Sequence, residues 1–232
     1  MKTLEEALSD DRPEVVLAAA RALSPLYALR GDARGRVTVL AAQARCHPDP
    51  AGRAEAWRAV AEAQELELAS PSDALASLAA AAREQPGDLD LRRELRRVAD
   101  LAREPERVAA LLEELAGLLP PGERVPALQE LADWCERRLE ARDRAAAAWE
   151  RVRELAPGDM GALTHLRRLH RAAERWPQLL ATCEELARRA ASPAARQDPL
   201  REIAAVAEAR LGDLPRALAA WREVAGSEER RV

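Results

Sequence analysis

Apolar residues recur three and four positions apart along nearly the whole chain, the period of a helix with one buried stripe. Short clusters of Pro, Gly, Asp and Ser interrupt the pattern at regular intervals. The spacing predicts helices over 14–30, 33–46, 51–69, 72–84, 89–102 and 105–118, then 123–140, 143–155, 160–173, 176–190, 194–211 and 214–225. Pro25 falls inside the first and predicts a kink or restart there. Pro13, Pro71, Pro105, Pro177, Pro193 and Pro215 suit first-turn positions, where a missing N–H is harmless. Ser70 and Ser192 are placed as N-caps, and Gly31-Asp32 and Gly212-Asp213 read as a helix stop followed by a start. Thr3-Leu4-Glu5-Glu6 has capping-box spacing.

The pattern repeats. Pro86-Gly87-Asp88 and Pro157-Gly158-Asp159 lie 71 residues apart. A shift of 71 carries Val60, Ala61, Leu68, Ala74 and Leu78 onto Leu131, Ala132, Leu139, Ala145 and Trp149. A shift of 72 carries those onto Ile203, Ala204, Leu211, Ala217 and Trp221. Leu95, Val98, Val108 and Leu115 map by 71 onto Leu166, Leu169, Leu179 and Leu186. Each unit is therefore two helical hairpins, and three units occupy roughly 15–88, 89–159 and 160–230 of a single array over 1–232. A period of this size means stacked supersecondary units in place of one closed core.

The second hairpin of each unit resembles a tetratricopeptide repeat, whose pattern reads W-x2-L-G-x2-Y, then A-x3-F, then P. The matches are Trp57-x2-Val60-Ala61 with Ala74-x3-Leu78 and Pro86, Leu128-x2-Leu131-Ala132 with Ala145-x3-Trp149 and Pro157, and Leu200-x2-Ile203-Ala204 with Ala217-x3-Trp221. Ala replaces the signature Gly and the Tyr position is lost. Ala61, Ala132 and Ala204 stand where helices approach closely. Leu78, Trp149 and Trp221 are placed between hairpins. Arg210-Leu211-Gly212-Asp213 and the segment 21–27 look like the long Ala/Arg/Leu-rich members found in GC-rich bacteria. The resemblance implies an all-α, right-handed α-solenoid of about six helical hairpins and about 12 helices. The third unit lacks its Pro-Gly-Asp, which suggests a piece of a longer array or an array attached to another domain.

Composition agrees. Alanine, leucine, arginine and glutamate dominate, all strong helix formers, while Phe is absent and Tyr occurs once. The net charge of −4 argues against general nucleic-acid binding. Residues 1–88 carry 10 basic and 14 acidic side chains, 89–159 carry 13 and 16, and 160–232 carry 13 and 10. Three scattered cysteines, Cys46, Cys135 and Cys183, without CxxC spacing argue against a disulfide framework or zinc site. No apolar run reaches membrane-spanning length and no secretory signal opens the chain, so a cytoplasmic location is expected.

No catalytic constellation stands out. His165 and His170 are five apart, which splays them around a helix, and His47 adjoins Cys46 at a helix end. Glu113-Glu114 and Glu184-Glu185 recur in register and read as solvated faces with arginines one turn away. Trp57 and Trp134 suit core or partly exposed sites, and Trp176 suits a hydrophobic staple before Pro177. Without a Gly-rich phosphate loop, metal cluster or nucleophile motif, the reading is a non-catalytic protein, with no cofactor and no metal.

The resemblance implies a concave groove lined by the first helix of each hairpin. Its outward positions here are Arg58 and Glu62, Arg96 and Asp100, Gln129 and Asp133, Arg167 and Arg171, and Arg201 and Ala205, with Arg93 one turn before Arg96. Arg93, Arg96, Gln129, Arg167, Arg171 and Arg201 form a mostly basic stripe suited to a protein or an acidic peptide, because guanidinium groups clasp carboxylates in pairs. The expected function is a protein–protein interaction scaffold. A structural or regulatory array that docks its own domains or self-associates is the alternative. RNA binding is disfavoured by the charge and by the lack of a repeated exposed aromatic.

Overall fold

The computed structural model describes residues 2–229. Among them lie thirteen α-helices and no strand. They are α1 (Lys2–Ala7), α2 (Pro13–Arg30), α3 (Ala33–Cys46), α4 (Pro50–Leu66), α5 (Pro71–Glu84), α6 (Leu89–Ala102) and α7 (Pro105–Leu118), then α8 (Pro121–Arg137), α9 (Arg142–Leu155), α10 (Met160–Ala172), α11 (Trp176–Arg189), α12 (Pro193–Val206) and α13 (Leu214–Glu229). A π-helical turn, Ala207–Leu211, extends α12. Behind α1 the helices pair as six hairpins. The architecture is all-α, built from consecutive helical hairpins. The chain divides into two compact units, Met1–Arg124 and Val125–Val232. Position 230, the last residue of the third repeat as read from sequence, lies outside the described residues.

The local chemistry explains the helix ends. Asp88 caps α6 by accepting from the N–H groups of Asp90 (2.8 Å) and Leu91 (3.1 Å), and Asp159 caps α10 from Ala162 (3.1 Å). The repeated Pro-Gly-Asp is thus a helix-start signal. Asp32, Asp213 and Ser192 cap α3, α13 and α12 as expected. The Ser70 side chain accepts no cap hydrogen bond at the start of α5; its hydroxyl donates to Asp73 at 2.6 Å. α2 runs through Pro25 without a restart. Pro25 faces solvent there, so water can satisfy the carbonyl its ring leaves unpaired.

The turns within hairpins carry the repeat most sharply. A left-handed residue recurs at Gly31, Arg103 and Glu174 in the first hairpin of each pair (φ 63°, 58° and 53°). Another recurs at Ala69, Glu140 and Gly212 in the second (φ 48°, 51° and 65°). The first kind closes with N–H donation from Asp32 to Tyr27 O, Glu104 to Ala99 O and Arg175 to His170 O. The second is one residue wider: Ser70 donates to Gln64 O, Ala141 to Cys135 O and Asp213 to Ala207 O. The mixed period of 71 and 72 arises between hairpins, where turns 47–49 and 190–192 are one residue longer than turn 119–120.

In the first unit, α1 closes one end of the core. Leu8 joins Val16, Ala20, Leu23, Tyr27 and Val39 in an apolar cluster, and the Tyr27 hydroxyl donates to Glu5 at 2.9 Å. Farther along, α6 buries Leu91, Leu95, Val98 and Ala99, one helical stripe. In the second unit, Leu179, Leu180, Cys183, Leu200, Ile203, Ala204 and Val224 form the core under α11–α13. Ala61, Ala132 and Ala204 are all buried, which permits close helix approach, and Leu78 and Trp149 are buried beside them. Trp221 differs: it is 42% exposed. Among the described residues no helix covers that side of α13, whereas α10 lies on α9 over Trp149.

Candidate functional site

Hairpins are tied by arginine–carboxylate pairs. In the first unit, Arg97 of α6 grips Glu65 of α4 with both Nη atoms, at 2.5 and 2.7 Å. In the second, Arg168 of α10 donates to Glu136 of α8. These two pairs are the same contact moved by 71 residues. Ser72–Glu104 and Asp143–Arg175 (2.7 Å) are another such couple, with the acid on opposite partners. Further pairs between hairpins are Arg36–Glu67, Arg83–Glu114 and Arg216–Glu184, while Arg53–Glu84 closes α4 on α5 within one hairpin. The paired acids of the sequence belong here: Glu114 and Glu184 bind arginines on neighbouring hairpins. Glu185 binds Arg153 across hairpins and Arg189 one turn along. Sequence spacing within a helix points to the second kind only. Overlaying repeats finds the first, since Glu65 and Glu136 shift onto each other as Arg97 and Arg168 do.

The first unit contains an open groove of about 720 Å³. Arg58 and Glu62, the outward positions of α4, line it. Its walls hold Glu55, Glu62, Glu65 and Glu94 against Arg58 and Arg97, above a floor that includes Ala59, Ala61 and Leu78. Arg58 pairs with Glu94 and Arg97 with Glu65. Glu55 and Glu62 remain as two carboxylates without ion-pair partners among the described residues. The lining is therefore net acidic. Nearby, Arg93 pairs with Asp90 at 2.6 Å, and Arg96 is half-buried on α6.

The basic candidates of the second unit meet acids. Arg167 and Arg171, one turn apart, both donate to Glu202 of α12, Arg171 Nε at 2.5 Å. Burial works to raise the Glu202 carboxyl pKa, but the hydrogen bonds from Arg171 and Arg167 outweigh it, and the group lies below its ordinary range. Cys183 Sγ lies 3.4 Å from the same carboxylate, and burial, aided by that charge, pushes its thiol up to about 12. Gln129 donates to the Asp159 cap at 2.7 Å, and Arg201 stands 4.0 Å from Asp198. The stripe is thus present as sequence order, with most of its charges already compensated.

The histidines are not brought together. His165 stacks on Trp149, and His170 is buried with its Nε2 3.4 Å from Glu150 Oε1. Trp134 is buried beneath the Arg138 guanidinium, and Trp176 lies beneath that of Arg210. Among the described residues no group of three His, Cys, Asp or Glu side chains could hold a metal ion. No helix there is long and apolar enough to cross a membrane.

No protein-family model matches the chain, and no curated protein sequence does. Solved structures similar to it include MamA (13% identity, 84% of this chain and 95% of that one, TM-score 0.39). PilF of Pseudomonas aeruginosa is 15% identical over 90% of each chain, with a TM-score of 0.39. A tetratricopeptide repeat protein from Parabacteroides merdae is 14% identical over 91% of this chain and 79% of its own, with a TM-score of 0.37.

Proposed function

We propose that this chain is a non-catalytic scaffold that binds a partner protein along the outward faces of the first helices of its hairpins. The observation that carries this reading is the 720 Å³ groove of the first unit, which is lined by the Arg58 and Glu62 positions and floored by small apolar side chains. Such a surface offers many contacts on rigid elements, so little ordering is needed on binding. Its two uncompensated glutamates, Glu55 and Glu62, select a partner segment that is basic over the first unit. An acidic partner segment fits only the second unit, where Arg167 and Arg171 share one carboxylate.

Capture from the source cell's lysate tests this, with the wild type set beside Glu55→Arg/Glu62→Arg and Arg171→Gln/Arg201→Glu, each verified as folded by circular dichroism. Loss of a captured protein with the first pair supports the acidic groove. Loss with the second pair moves the site to the arginines of the second unit. Equal capture by all three overturns the groove.

A further inference from the structure

The outer side of the last hairpin is half of an interface that the molecule builds in full elsewhere. In the second unit α10 lies on α9: His165 stacks on Trp149, and Arg168 binds Glu136. In the first unit α6 lies on α5, and Arg97 binds Glu65. One step further, the acceptor positions are all present. Trp221 is in register with Leu78 and Trp149, Leu218 with Leu75 and Ala146, and Glu208 with Glu65 and Glu136. The four register mates of Trp221 and Leu218 are each at most 5% exposed, whereas Trp221 is 42% and Leu218 51% exposed. Leu214 adds a third exposed side chain to the stripe. Glu208 is exposed and has no ion-pair partner among the described residues.

We propose that this face of α12–α13 is a docking surface for an amphipathic helix of another protein that carries an arginine beside a leucine stripe. The occupant's chemistry follows from the two helices that cover the equivalent faces. Both present the same run at the contact, Leu95-Arg96-Arg97-Val98 and Leu166-Arg167-Arg168-Leu169. Its apolar stripe covers Leu218 and Trp221, and its second arginine reaches Glu208. A leucine stripe alone gives no choice of register. The lone carboxylate supplies it, since a helix that lacks the arginine leaves Glu208 desolvated and unpaired. This surface is separate from the groove of the first unit, so either can fail without the other.

The probe is a fluorescein-labelled peptide with the sequence of residues 159–175, titrated with the intact chain and read by anisotropy. Saturable binding is expected, about tenfold weaker to Glu208→Arg and lost with Trp221→Ser. A peptide with the Arg168→Glu change should bind the wild type weakly and recover on Glu208→Arg. Both chain variants alter exposed side chains, and circular dichroism confirms that they fold. Absence of binding to the wild type, or binding indifferent to Glu208→Arg, overturns the proposal. A dimer by light scattering that Trp221→Ser dissolves also overturns it, by giving the face to a second copy.

Discussion

The indole of Trp149 lies nearly parallel to the imidazole of His165, with ring centroids 4.2 Å apart and planes 14° apart. The same indole N–H donates to Glu136 at 3.1 Å. One side chain thus packs between hairpins and helps to hold the carboxylate that Arg168 grips. Trp149→Ala should cost about 3–5 kcal/mol in urea unfolding, the range for emptying a buried aromatic site. Trp221→Ala, at the register-equivalent exposed position, should cost about 1 kcal/mol or less. Equal losses at the two sites would contradict the burial difference.

Arg103 and Glu140 hold left-handed backbone without being glycine. Each pays a steric penalty of about 1–2 kcal/mol. Glycine removes it but adds freedom to the unfolded chain worth about 0.4–1 kcal/mol. Arg103→Gly and Glu140→Gly should each raise stability by about 0.5–1 kcal/mol, by the difference of those terms. Gly31→Ala and Gly212→Ala should lower it. Thermal unfolding midpoints check all four.

His170 sits at the position that Ala99 holds in the preceding repeat. Burial lowers its pKa from the ordinary 6.5, while nearby Glu150 acts the other way and Arg175 and Arg153 reinforce the lowering. The native state therefore binds fewer protons at this site than the unfolded chain. Its contribution is intact above about pH 6.5 and is lost as the pH falls through the depressed native value. Urea midpoints measured from pH 7 to pH 5 should decline for the wild type and be flatter for His170→Ala. A wild type that gains stability on acidification across this window would reverse the sign.

Cys183 is buried, with its thiol pushed up to about 12, so almost no thiolate forms near neutrality. Cys135 is buried as well, and Cys46 is half-buried. Iodoacetamide at pH 8 should modify Cys46 first, and Cys135 and Cys183 only after denaturant is added. Peptide mass mapping reads the order.

The helices were legible because breakers and caps are local: Asp88, Asp159 and Gly31 announce their roles within three or four residues. Arg103, Glu140 and Glu174 do the work of glycine without its signature, and only overlay with Gly31 and Gly212 reveals them. The arginine stripe was legible as composition, but its electrostatics was not. Whether Arg171 is free or spent depends on Glu202, 31 residues away and brought near by the stacking of hairpins. Separation along the chain likewise hid the acidic balance of the first groove, since Glu65 and Glu94 belong to different hairpins. Trp221 is exposed where Trp149 is buried, because this repeat position acquires its burial from a neighbouring hairpin and not from the local sequence.

In the second unit α10 is held from two sides, by α9 and α11, whereas α13 packs on α12 and the π turn that extends it. Energy shared between neighbours makes opening a matter of position along the row. Releasing α13 breaks its seam with α12 and the Arg216–Glu184 tie, whereas releasing α10 breaks its seams with two helices. Amide exchange should accordingly be fastest in α13 and slow progressively inward, a gradient of fraying. A helix seated on Trp221 would abolish that gradient by giving α13 a neighbour on its exposed side as well.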